Sequence, residues 1–124
     1  MRQGRLAVAI IVSFLSIGGA AYAAGDAKAG AEVFKKCALC HSPDAGVNKV
    51  GPSLHGVVGR HSASLQNYAY SPAMKSANKT WDAATLDAYL ADPRAMVPGT
   101  KMIFPGLKSE TDRQNVIAYL ETLK

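Results

Sequence analysis

Cys37-Ala38-Leu39-Cys40-His41 is the part of this sequence whose residue types and spacing most directly imply chemistry. Two thiols three positions apart, followed at once by an imidazole, form the Cys-x-x-Cys-His pattern of covalent haem attachment. The thiols add to the two vinyl groups of a porphyrin. The spacing sets them over neighbouring pyrroles with His41 beneath the iron. Two other chemistries use paired cysteines. A disulfide oxidoreductase sets its pair at the start of a helix that follows a strand, where the dipole lowers the thiol pKa. Here the pair closes a helical pattern instead. A zinc site needs more soft ligands than one pair, and the chain has only two cysteines. The sequence therefore predicts one haem c, with its iron, on Cys37 and Cys40. An iron-bound histidine is neutral and wants an acceptor for its second ring nitrogen. The carbonyl of Pro52 is the candidate.

The opposite face of the iron decides what such a protein does: an open face binds gases or does chemistry, a filled one moves electrons. Three thioethers are available downstream. Met102 lies in Pro98-Gly99-Thr100-Lys101-Met102, a constrained loop able to hold one side chain in place. Met74 and Met96 fall on expected helical turns and read as core fillers. His55 and His61 lie in loop sequence and read as surface residues.

These residues need elements to position them. Asp26 can cap a first helix in which Gly30, Val33, Phe34 and Cys37 recur at helical spacing. Gly30 inside it costs about 1 kcal/mol relative to Ala, which points to close approach of another helix. From Ser42 to Tyr70, Pro and Gly interrupt every period, and the segment reads as loop. A short helix is expected from Ser71-Pro72 through Ala77, with Pro72 at the tolerated first position. A second main helix is expected over Trp81–Ala91, with Leu86, Tyr89 and Leu90 on one face, and Asp92-Pro93 ends it and can begin another turn. Ser109 with Asp112 resembles a capping box before the stripe Val116, Ile117, Leu120 and Leu123. No strong strand appears. A loop of nearly 30 residues and only 7% aromatics suggest that something besides side chains fills the centre.

Residues 1–24 read as a secretory signal peptide: Arg2 and Arg5, an apolar run from Leu6 to Ile17, then small residues with cleavage near Ala23 or Ala24. The run is short of the roughly 20 residues that a spanning helix needs, so a membrane-tethered form is less favoured. One domain, 25–124, remains. Without the two arginines, 12 of the 14 Lys and Arg face 9 acidic residues, which lowers the net charge from +5 to +3.

With these residues in view, the sequence is similar to class I c-type cytochromes, of the soluble bacterial branch close to mitochondrial cytochrome c. The resemblance runs from Gly25 to Lys124 through Cys37–His41, Gly51-Pro52-Ser53-Leu54-His55-Gly56, Arg60, Tyr70-Ser71, Trp81, Tyr89-Leu90, Asp92-Pro93, Pro98–Phe104 and Ile117–Leu120. It implies an all-α cytochrome c fold: three main helices, plus short helices and loops, wrapped around one covalently bound haem. It implies His41 and Met102 as axial ligands and Pro52 as the group that orients His41. Tyr89 and Thr100 would hydrogen-bond near Met102 or the inner propionate, and Arg60, Tyr70 and Trp81 would hold the propionates. Gly30 and Phe34 would cross Val116 and Tyr119. The chain departs from the mitochondrial pattern in a shorter loop from His61 to Tyr68, in Met74 where those proteins carry a polar residue, and in Pro105 beside Phe104.

The function implied is that of a periplasmic one-electron carrier, not an enzyme. It would be a monomer that docks transiently on redox proteins such as a cytochrome bc complex, a terminal oxidase or a periplasmic oxidoreductase. By the same resemblance Lys36, Lys49, Arg94, Lys101 and Lys108 would ring the exposed haem edge and steer acidic partners. Nucleic acid is a poor partner for an exported haem protein. A peroxidase or sensor with a labile Met102, and a fixed subunit of a larger redox enzyme, are the competing readings.

Overall fold

Five helices and the segments between them make up the computed structural model, which describes residues 25–124. The expected signal peptide over 1–24, its cleavage point and the alternative of a membrane anchor lie outside the described residues. Among the described residues no helix is long and apolar enough to cross a membrane.

Local capping sets the helix starts. Helix α1, Ala27–Phe34, begins where the Asp26 carboxylate accepts from the Lys28 and Ala29 N–H groups at 2.9 and 3.3 Å. The helical pattern continues to Cys37 in sequence, but the α-helix stops at Phe34. Its last turns tighten through bonds from Lys36 N–H to Val33 and from Cys37 N–H to Phe34. These turns carry the cysteine pair. Ser71 caps the short α2, Pro72–Ala77, which ends at Asn78 in the left-handed region. Helix α3, Ala83–Ala91, starts two residues later than its apolar pattern suggests, because Asp82 caps it by accepting from Thr85 N–H at 2.8 Å. Asp92 closes α3 and caps α4, Pro93–Met96. Ser109 caps α5, Glu110–Glu121, accepting from Asp112 N–H at 3.2 Å. Among the described residues the nearest thing to a strand is one isolated bridge, His61 to Thr80.

Helices α1 and α5 cross at Gly30. A Cβ there would overlap the Asn115 carbonyl oxygen and lie 2.9 Å from the Tyr119 Cβ. The Phe34 and Tyr119 rings stack beside the crossing, 5.0 Å apart and tilted by 49°. Helix α3 packs on α5 and is tied to it by Arg113. Its guanidinium pairs with Asp87 at 2.8 Å, mostly buried, and donates to the carbonyls of Leu107 and Lys108. Phe34, Trp81, Leu86, Tyr89, Leu90, Val116, Ile117 and Leu120 form the apolar core, with Val116 fully buried.

Where the long loop from Ser42 to Tyr70 turns inward, its polar groups are paired, as buried ones must be. Leu54 N–H donates to Ser42, Ser53 Oγ donates to the Asp44 carbonyl at 2.6 Å, and Gly59 N–H and Trp81 N–H exchange bonds with Trp81 and Arg60. Ser42 and Ser53 are buried in these bonds, and the buried Ser62 exchanges bonds with Lys79, donating to its carbonyl at 2.7 Å and accepting from its N–H at 2.9 Å.

Candidate functional site

The helices and the long loop enclose a cavity of about 510 Å³. All ten residues expected around the haem line it: Cys37, Cys40, His41, Pro52 and Arg60, with Tyr70, Trp81, Tyr89, Thr100 and Met102. They come from the turns after α1, the long loop, the edge of α3 and the loop before α5.

On one wall the His41 Nδ1–H donates to the Pro52 carbonyl at 2.7 Å, which leaves Nε2 free to face the cavity. The segment holding Pro52 is bonded to the attachment turn just ahead of that contact as well. Gly51 N–H donates to Cys40 at 2.8 Å, and the Lys49 ammonium donates to the Ala38 carbonyl. Gly51 is buried against the imidazole, and a Cβ there would overlap Cε1 and lie 2.7 Å from Nδ1. Burial holds the His41 pKa below its ordinary value; the Pro52 bond opposes this, while Arg60 and Lys49 reinforce it. The imidazole is therefore neutral near pH 7, the form that can bind a metal. Burial pushes the Cys37 thiol up to about 11, with Cys40 adding to the shift. That is the opposite of the low-pKa thiolate of a disulfide oxidoreductase.

On the other wall stands Met102, on a loop pinned by hydroxyls. The buried Tyr89 hydroxyl lies 3.1 Å from Thr100 Oγ1 and donates to the Met102 sulfur at 3.7 Å. Met102 N–H donates to Thr100 Oγ1 at 3.4 Å. Burial raises the Tyr89 pKa, so the phenol stays a neutral donor. The Trp81 ring lies 4.9 Å from that of Tyr89.

Of the other methionines, Met74 also lines the cavity, whereas Met96 only packs against the core. Met74, read from sequence as core filler, thus does both. No periodicity could reveal this, because α2 has no buried residue to mark which face turns inward. Gly51 was visible only as one letter of a matching segment, and its contact with His41 depends on the folded loop. Of the five cations expected at the edge, all exposed, Lys36 and Lys101 border the cavity and Lys49, Arg94 and Lys108 lie outside its lining. Leu39, Val50 and Ile103 are 78%, 76% and 86% exposed and stand around the opening.

A haem c fits these residues. The cavity falls within the ~300–1,000 Å³ of cofactor sites and is lined mostly by apolar side chains. Two thiols and a neutral imidazole meet on one wall. Arg60, half-buried, donates to the carbonyls of Ser53 and His55, and among the described residues it pairs with no carboxylate. Its charge is left for an anionic group in the cavity.

The comparisons agree with this geometry. The family model described as Cytochrome c matches residues 27–124. The chain belongs to the cytochrome c family. It is 49% identical over 116 residues to cytochrome c-554 of Methylosinus trichosporium, an alignment covering 93% of this chain and 88% of that one. It is 49% identical over 117 residues to cytochrome c2 of Rhodomicrobium vannielii, covering 93% of each. The solved structure of cytochrome cH from Methylobacterium extorquens superposes with a TM-score of 0.75 at 46% identity, covering 79% of this chain and 99% of that one. The all-α architecture is therefore the cytochrome c fold of a class I c-type cytochrome. As a member of that family the chain is an electron-transfer protein rather than an enzyme, and it carries haem c, with iron, through Cys37 and Cys40.

Proposed function

We propose that this chain is a soluble, exported one-electron carrier whose iron is ligated by His41 and Met102. The observation that carries the reading is the pairing across one cavity of a neutral imidazole fixed by Pro52 and a thioether fixed by Tyr89. When bound, the haem supplies a single-electron iron couple whose potential a thioether ligand raises. The protein's part is to hold both ligands still in either oxidation state. Pro52 fixes the His41 tautomer and ring plane, and the Tyr89 and Thr100 hydroxyls fix the Met102 loop. Arg60, Tyr70 and Trp81 are placed to hold the propionates, because a buried carboxylate needs charge-assisted or neutral donors.

Lys36, Lys49, Arg94, Lys101 and Lys108 would steer the edge toward acidic surfaces on a cytochrome bc complex, a terminal oxidase or a periplasmic oxidoreductase. Export to the periplasm rests on the signal-peptide pattern of residues 1–24. The ligand assignment is tested with Met102→Ala. Haem stays covalently attached, the Met-to-iron charge-transfer band disappears and CO binds readily at neutral pH. An unchanged spectrum and potential in this variant would refute the assignment.

A further inference from the structure

The segment around Tyr68 joins the two walls of the cavity. Its hydroxyl donates to the Val50 carbonyl at 2.7 Å, one residue before Gly51 and two before Pro52. Asn48 Nδ2 donates to the Asn67 carbonyl at 2.9 Å, a second bond between the same two segments. On the other side the Lys101 ammonium sits 4.5 Å above the Tyr68 ring and donates to the Ala69 carbonyl at 2.6 Å. Lys101 is the neighbour of Met102. The Tyr68 ring is steadied edge-on by Tyr70 at 4.9 Å. One side chain thus touches the backbone of the loop behind His41 and the cation beside Met102.

We propose that Tyr68 is a positioning residue that couples the wall carrying Met102 to the wall behind His41, so that the Met102 loop opens only when this strap is released. The inference rests on the reading of Met102 as the second axial ligand. The hydroxyl of Tyr68 is bonded at the His41 end, yet its loss changes opening at the Met102 end. A net hydrogen bond is worth about 0.5–1.5 kcal/mol, so its removal shifts a local opening equilibrium roughly two- to tenfold.

The test is imidazole binding to the oxidised haem-loaded protein, in which imidazole enters only when Met102 departs. Tyr68→Phe, which keeps the ring and removes the hydroxyl, is expected to bind imidazole about two- to tenfold more tightly than the natural protein. Ser109→Ala, which weakens a distant cap, is expected to leave the affinity where it was. A rise in Lys101→Met with none in Tyr68→Phe would make the contact local to Lys101 and overturn the coupling, as would an equal rise in Ser109→Ala. If Tyr68→Phe does not load haem, Lys101→Met serves alone. Amide exchange at Gly51, on the far wall, should then speed up, and unchanged exchange overturns the proposal. The charge-transfer band separates the two failures. Its absence from the natural protein removes the ligand reading and this inference with it, whereas a band present with unchanged affinities removes this inference only.

Discussion

His41 shows how much of this site depends on single atoms. Its orientation needs an acceptor at Pro52 and the absence of a side chain at Gly51. Gly51→Ala therefore crowds the ring. Overpacking of this kind costs about 1–3 kcal/mol, and here the strain falls on the imidazole. The expected result is a holoprotein with a lowered melting temperature and a shifted His41 Nδ1–H proton resonance. An unmoved resonance would mean that the loop, not the ring, gives way. Gly51 carries no sequence signal for this contact, because the imidazole and the glycine meet only through the fold. Cys37, Cys40 and His41, by contrast, are legible as a contiguous motif whose chemistry depends on spacing alone.

At the scale of elements, α1 and α5 are held by a crossing that only glycine permits. Gly30→Ala would gain about 1 kcal/mol of helix propensity. The overlap with the Asn115 carbonyl outweighs it, since a helix backbone cannot rotate aside as a side chain can. A net destabilisation of about 3 kcal/mol is expected in denaturant titration, and a stabilised variant would contradict the close crossing. The start of α3 carries a pH signature. The Asp82 carboxyl is held below its ordinary pKa, chiefly by its side-chain and backbone bonds with Thr85. A depressed carboxylate stabilises the fold above its unfolded pKa, and that contribution is lost as pH falls through the lower folded value. Asp82→Asn should therefore flatten the acid limb of the stability profile and leave the neutral region less affected. An acid limb identical to that of the natural protein would count against the cap. Helix existence was legible from apolar spacing, while two boundaries shifted for local reasons. Asp82 took the cap that Trp81 could not provide, and the tight turns after Phe34 set the cysteines apart from α1.

Across the whole molecule, the charge matters more for its placement than for its sum. The net +3 of residues 25–124 is modest, and two ionised propionates would lower it further. Lys36 and Lys101 nevertheless border the opening, among the exposed Leu39, Val50 and Ile103. Oxidation of the reduced holoprotein by hexacyanoferrate(III), an anionic probe, should slow as ionic strength rises, because screening shortens the reach of these cations. Lys36→Gln is expected to reduce that slope, and Lys28→Gln, on α1 and outside the cavity lining, to change it less. Equal slopes would mean that the overall charge, not the edge, does the steering.

Sequence alone determined what depends on neighbours in the chain: the attachment motif, the capping residues at Asp26, Ser71 and Ser109, and the apolar stripes of α3 and α5. Covalent spacing and helix periodicity are local properties, so five to twelve adjacent residues suffice to state them. The tertiary structure alone decided which side chains converge. It brought Met74 as well as Met102 to the cavity, set Gly51 against His41, left Arg60 without a carboxylate partner among the described residues and strung Tyr68 between Val50 and Lys101. Each of these joins residues brought together by packing around the cavity, a three-dimensional arrangement that no local period records.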